Sequence, residues 1–150
     1  MYTFKQTMLA IICLLMLAGC ATPQQSNNNG GGMSSKSEAR QMMEARQLFQ
    51  LGRELYQRNE YAEALNAFEK VIELTPDNFE AYNNLGVIYS ILGEDELGIS
   101  FISEAIKLAP AVSLLHNSLG YALLKQKRNS EAASAFERAL QLDPKNSHAR

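Results

Sequence analysis

The sequence predicts an all-α array of three helix-turn-helix units, and three observations predict it. The first is a period. Pro76, Pro110 and Pro144 are spaced by 34 residues, and so are Gly52, Gly86 and Gly120. The same spacing relates Leu51, Leu85 and Leu119; Ala64, Gly98 and Ala132; Phe68, Ile102 and Phe136; and Val71, Ala105 and Ala139. A fixed period of this length marks stacked supersecondary units, each covering the apolar face of its neighbour. The second is the residue type at each register. Small residues let two helices approach closely, and a proline ends a helix and forces an extended residue before it. The third is composition. The chain has 150 residues, 46% hydrophobic and 20% charged, which suits one compact domain.

Two segments precede the array. Residues 1–7 carry one charge, Lys5, and residues 8–18 form an unbroken apolar run. A helix over that run is too short for a hydrocarbon core of ~30 Å, so residues 1–19 read as a signal peptide. Its end, Leu17-Ala18-Gly19-Cys20, resembles the lipobox of bacterial lipoproteins. The resemblance implies cleavage before Cys20 and lipidation of its sulfur, with two acyl chains or more to hold the chain at a membrane. In that family an Asp after the cysteine often signals inner-membrane retention. Ala21 therefore implies the outer membrane of a Gram-negative host, on its periplasmic side. Residues 20–36 then carry the lipidated cysteine and a linker of Gly, Asn, Gln, Ser and Pro. Such a composition cannot offset its ordering entropy by burial and is expected to be flexible, with a reach of ~20–24 Å.

The array is expected over 37–146, with repeats at 45–78, 79–112 and 113–146. Helix pairs are expected near 45–58 and 61–74, 79–92 and 95–108, and 113–126 and 129–142. Ser35 and Glu38 form an S-x-x-E pattern, so the first helix is expected to start early, near Lys36. Asp77 or Asn78 can cap the third helix, with Glu80 at capping-box distance from Asp77. Glu94-Asp95-Glu96 place negative charge where the next helix dipole favours it. Ser147 and the residues after it look like the start of a fourth repeat. Without a polar capping helix, Ala135, Ala139 and Leu142 are expected to be partly exposed.

These registers resemble the tetratricopeptide repeat (TPR): Tyr82, Leu85-Gly86, Tyr89, Gly98, Ile102 and Pro110 in the second copy, with Leu48, Leu51-Gly52, Leu55, Ala64, Phe68 and Pro76 before it and His116, Leu119-Gly120, Leu123, Ala132, Phe136 and Pro144 after it. The resemblance covers 45–146 and implies a right-handed solenoid whose function is binding. It also implies which residues face the concave side. These are Arg46, Phe49, Gln50, Arg53, Tyr56 and Gln57 in the first repeat, then Glu80, Asn83, Asn84, Val87, Ser90 and Ile91. The third repeat supplies Leu114, Asn117, Ser118, Tyr121, Leu124 and Lys125. The groove for a protein or peptide partner is assigned to Phe49, Arg53, Tyr56, Asn83, Asn84, Val87, Asn117, Ser118, Tyr121 and Leu124. Amides supply donors and acceptors, and the apolar side chains supply anchors. Chaperone-binding TPRs grip a carboxylate with Lys, Asn and Arg at five positions that here hold Phe49, Arg53, Asn84, Leu114 and Ser118. Only Asn84 matches, which argues against that partner.

Chemistry other than binding finds little support. Cys13 and Cys20 both lie in the first twenty residues, so the array has no disulfide, cysteine nucleophile or cysteine metal site. There is no phosphate-binding Gly-rich loop and no G-x-S-x-G elbow. His116 occupies the aromatic slot of its repeat, and His148 is alone in the tail. No catalytic residue, metal or cofactor is expected, and a net charge of −2 argues against nucleic acid. Charge is uneven: 77–110 carries −5 and 111–150 carries +3. The layout of lipobox, linker and repeats is similar to that of TPR lipoproteins that support pilus assembly. An adaptor for cell-wall enzymes, and a structural lipoprotein that self-associates through its last helix, are the alternatives.

Overall fold

The computed structural model describes residues 30–145, with side chains from Ser35 onward. The expected signal peptide, Cys20, the linker as far as residue 29 and the tail 146–150 with His148 lie outside the described residues. Within them are six helices and no strand. These are α1 (Gly30–Gln57), α2 (Tyr61–Leu74), α3 (Phe79–Leu92), α4 (Asp95–Leu108), α5 (Ser113–Lys125) and α6 (Asn129–Leu142). They pair as α1–α2, α3–α4 and α5–α6. α1 begins at Gly30, ahead of the start expected near Lys36, so residues 30–36 are helical where a linker was expected. Ser35 and Glu38 therefore sit inside α1. Once a helix is nucleated, each further residue adds a backbone hydrogen bond, which lets the helix run back past the pattern.

Each hairpin closes in the same way. Asn59, Gly93 and Lys127 stand one period apart, and all have positive φ, at 61°, 90° and 61°. The N–H of each donates to the third residue before it: Asn59 to Tyr56, Gly93 to Ser90 and Lys127 to Leu124. The next residue donates five back, from Glu60 to Leu55, Glu94 to Tyr89 and Arg128 to Leu123. This paired closure is the Schellman motif, which needs a left-handed residue at its apex. The second helices end as uniformly. Thr75, Ala109 and Asp143 donate their N–H to the fourth residue before them, and each precedes a proline. Asn78 caps α3, its Oδ1 accepting from the Ala81 N–H at 2.9 Å; the alternative cap, Asp77, is not the one used.

The helices of a pair touch at their small residues. A Cβ added to Gly52 or Gly120 would lie 2.9 Å or 2.5 Å from the ring of Phe68 or Phe136. The middle hairpin is tighter. A Cβ at Gly86 would meet the backbone carbonyl of Gly98 at 2.7 Å, and a Cβ at Gly98 would meet that of Gly86 at 2.7 Å. Side chains packed around these crossings form the core, with Phe68, Val71, Leu85, Ile88, Ile102 and Leu115 fully buried. Fully burying an aliphatic or aromatic side chain stabilises by ~1.5–3 kcal/mol. Beside the core, Phe101 packs against Tyr82 and stacks on Tyr89 at 5.3 Å between centroids. The Tyr89 hydroxyl donates to Glu69 Oε1 at 3.2 Å. Burial, then the nearby Glu69 charge, pushes the Tyr89 phenol above its ordinary pKa.

The two ends of the array differ. At the front, Gln47, Leu51 and Glu54 stand at the registers that hold Ala81, Leu85 and Ile88 in the buried α3. That face of α1 is thus largely polar and Leu51 is exposed. At the back, Ala135 and Ala139 are buried, not partly exposed as expected. Both turn toward α5: Ala135 packs with Leu123, and the Ala139 carbonyl accepts from Ser113 Oγ at 2.9 Å. The residues left half-buried are Phe136, Leu140 and Leu142.

Two substitutions test this packing in urea unfolding of the full chain. Gly86→Ala is expected to lower stability by about 1–3 kcal/mol, because its methyl meets backbone and overpacks the crossing. Lys127→Gly is expected to raise stability by about 1 kcal/mol, because the left-handed apex disfavours a residue with a Cβ.

Candidate binding groove

The first helices of the three hairpins, α1, α3 and α5, line a run of clefts. The first cleft, about 450 Å³, lies between α1 and the turn into α3. Met42, Arg46, Phe49 and Gln50 form one wall, and Thr75, Asp77, Asn78, Phe79 and Glu80 form the other. The second, about 390 Å³, shares Phe49, Phe79 and Glu80 with the first and adds Arg53, Asn83, Asn84, Val112, Leu114 and Leu115. The third, about 230 Å³, lies between α3 and α5, with Val87, Ile91, Ile102, Tyr121 and Ala122 as its apolar lining. Ser90, Ser118 and Lys125 complete it. Asn83 and Val87 are one helical turn apart on α3, as are Leu114 and Ser118 on α5, so the clefts follow one another along one face.

Chemistry changes along this face. The front section sets Arg46 and Arg53 on α1 across from Asp77 and Glu80. The back section is apolar and carries exposed Ile91, Leu114, Tyr121 and Leu124. Lys125 closes its rim: its ammonium donates to the Ser90 carbonyl and lies 3.4 Å from Asp95 Oδ1. This joins the end of α3, the start of α4 and the end of α5. Arg128 adds a paired contact to Glu131 at 2.6 Å and a looser one to Glu96 at 3.9 Å. The Glu131 carboxyl is held below its ordinary pKa, first by the hydrogen bond from Arg128.

Of the residues assigned to the groove, Phe49, Arg53, Asn83 and Asn84 line the second cleft, and Val87, Ser118 and Tyr121 line the third. Tyr56 lines none of the three; it packs on the core with its ring 6.0 Å from that of Tyr61. Leu124 is exposed beside the third cleft, outside its lining. Asn117 is 5% exposed and also lines none of the three. Asn84 Nδ2 donates to the Glu80 carbonyl at 2.8 Å. The buried oxygens Asn83 Oδ1, Ser90 Oγ and Asn117 Oδ1 have no hydrogen-bond partner, and an unsatisfied buried polar group costs about 1–3 kcal/mol. His116 stays at the edge of its hairpin, where Nε2 donates to the Pro110 carbonyl at 2.9 Å. Phe79 and Met42 were not assigned to the groove from sequence. Phe79 is the first residue of its repeat, where the other two repeats hold Ala45 and Ser113, and its size was the available signal.

Among the described residues no group of three or more His, Cys, Asp or Glu is placed to hold a metal ion. No described helix is long and apolar enough to cross a membrane.

A stack of helical hairpins with a continuous groove along its first helices defines a repeat protein built for binding. Residues 52–93 match the family described as TPR repeat, and 79–112 and 113–146 match the tetratricopeptide repeat. Over 52–146 the chain belongs to the tetratricopeptide repeat family, whose repeats mediate protein–protein interaction. It is 29% identical over 105 residues to the small glutamine-rich tetratricopeptide repeat-containing protein 2 of Mycosarcoma maydis, covering 70% of this chain and 30% of that one. It is 37% identical over 112 residues to the chloroplastic tetratricopeptide repeat domain-containing protein PYG7 of Arabidopsis thaliana, covering 71% and 36%. The chain thus spans about a third of the length of these two relatives. Among solved structures it resembles the first TPR of Spaghetti (RPAP3) bound to the HSP90 peptide SRMEEVD, with a TM-score of 0.69 and 24% identity. That match covers 71% of this chain and 85% of the other.

The Lys125 tie is open to a double-mutant cycle. Lys125→Met combined with Asp95→Asn in urea unfolding is expected to give a coupling of about 1 kcal/mol, the upper range for partly exposed pairs. Simple additivity would show that the Lys125–Asp95 pair does not help to join the repeats.

Proposed function

We propose that this chain is a membrane-anchored adaptor that binds a protein partner in its groove and holds it near the periplasmic face of the outer membrane. The continuous face of three clefts, polar at one end and apolar at the other, carries this reading. A groove of this kind orients a chain by charge at one end and anchors it by apolar contact at the other. A repeat array of the same fold holds a peptide in its solved structure, a precedent at the level of fold. Of the five clamp positions of chaperone-tail receptors, only Asn84 matches, while Phe49, Arg53, Leu114 and Ser118 differ, which argues against that partner. Lipidation of Cys20 supplies the anchor and the Gly- and Asn-rich linker supplies limited reach. The similar layout of TPR lipoproteins that support pilus assembly favours a partner in such a machine. The work is binding and positioning, without bond chemistry.

The half-buried Phe136 and Leu140 at the back of the array favour one second reading, in which copies stack end to end. A size that rises with concentration would support it.

Cross-linking in native envelopes tests the main proposal. The wild-type chain is expected to capture one partner, and Val87→Glu with Leu124→Glu to reduce that capture at least tenfold while the helical content is kept. Cys20→Ser is expected to release the chain from the membrane fraction. Unchanged capture by the groove variant would contradict the groove; unchanged membrane association would contradict the anchor.

A further inference from the structure

End units of a solenoid ordinarily turn a polar face outward, but the outer face of α1 mixes apolar residues with charge. In α3 the registers of this face hold Ala81, Leu85 and Ile88, which are buried in one core with Phe68 and Val71 of the preceding hairpin. On α1 they hold Gln47, Leu51 and Glu54, and Leu51 is 44% exposed. Met43, one turn before Gln47, is 61% exposed. At about 100° per residue, Arg40, Met43, Gln47, Leu51 and Glu54 all lie within about 40° of one line along the helix. The groove residues Arg46, Phe49 and Arg53 lie about 100° or more away from that line. The stripe is self-complementary about its middle. Counting outward from Gln47, the fourth residue on either side is apolar, Met43 and Leu51. The seventh on either side is charged, and the two signs are opposite, Arg40 and Glu54.

We propose that a second copy of this chain docks on this face, its α1 antiparallel to the first, with the two-fold axis beside Gln47. In such an isologous pair, residue i meets residue j and j meets i. Met43 of each copy then meets Leu51 of the other, and Arg40 of each meets Glu54 of the other. The two Gln47 amides face each other on the axis, where each can donate and accept. Charge sets the direction, because a parallel pair would place Arg40 on Arg40 and Glu54 on Glu54. The two Arg40–Glu54 contacts stand about 10 Å from the axis on either side and fix the register of the apolar centre. The outermost positions of the stripe, Lys36 and Arg58, carry like charge, but Arg58 lies 3.7 Å from its own Glu60, which offsets part of it. The contact leaves the groove open and does not depend on the groove reading. It closes at two copies, whereas stacking end to end through α6 does not close. A contact centred on one helix pair falls below the ~1,000 Å² of a stable interface, so a dissociation constant in the micromolar range is expected.

Sedimentation of the full-length chain in excess detergent micelles, with charge variants that share its N-terminus, tests the pairing. The wild type is expected to dimerise at micromolar concentration and to grow no further. Arg40→Glu alone and Glu54→Arg alone are each expected to weaken the dimer at least tenfold with helical content kept, since each sets like charges together twice. An equal mixture of these two variants should recover wild-type affinity within threefold, because both contacts are then of opposite charge. The double variant Arg40→Glu with Glu54→Arg should recover it as well, and Leu140→Glu, at the other end of the array, should leave it unchanged. A monomer throughout the micromolar range, growth beyond two copies, or single variants that dimerise like the wild type would overturn the proposal. So would a mixture no tighter than its components, or loss of the dimer in Leu140→Glu.

Discussion

The close approach of two antiparallel helices within each hairpin is the constraint on which the molecule depends. At Gly86 and Gly98 backbone meets backbone, and at Gly52 and Gly120 an aromatic ring lies where a Cβ would stand. Such contacts leave room for one arrangement of each pair. They also place Phe68 and Ile102 where the following hairpin buries them, and the third occupant of that register, Phe136, is half-buried. The left-handed apex at Asn59, Gly93 and Lys127 and the proline after each second helix then set the length of the unit. The 34-residue period is the sequence trace of that geometry.

Function follows from what this packing leaves free. The second helices and the crossings hold α1, α3 and α5 in place, so their remaining faces present a fixed groove instead of a mobile loop. Rigidity of this kind reduces the ordering that binding would otherwise require. The groove is not uniform, because repeat registers that do not serve the core are free to vary. Arg46 and Arg53 occupy the front, while Val87, Ile91 and Tyr121 occupy the back. The Lys125 tie to Ser90 and Asp95 fixes the apolar section, since it joins the ends of the two helices that form its walls. Among the described residues, Asn83 Oδ1, Ser90 Oγ and Asn117 Oδ1 are buried without a hydrogen-bond partner, and Asp95 Oδ1 has the Lys125 ion pair instead of one.

Helix limits were legible from the period, and five of the six helices fall within a residue of the expected spans, because glycine, proline and core registers report the same geometry. The start of α1 was not legible: the S-x-x-E pattern carries no information on whether a helix continues behind it. The burial of Ala135 and Ala139 was misjudged because the exposed side of a terminal helix was assigned from the absence of a neighbour. The actual orientation is set by Leu123 and by the bond from Ser113. The groove was partly legible. Repeat registers located Asn83, Val87 and Tyr121, but a register cannot say how deep a side chain lies. Asn117 is sunk into the array, and Tyr56 packs beside Tyr61. Phe79 escaped notice because its register is usually filled by a small residue in this chain.

Amide hydrogen exchange on the full-length chain, free and bound to the partner captured from envelopes, tests the central claim most directly. The account predicts added protection confined to α1, α3 and α5 at residues lining the three clefts, with α2, α4 and α6 little changed. Protection centred on α6, with α3 unaffected, would contradict it.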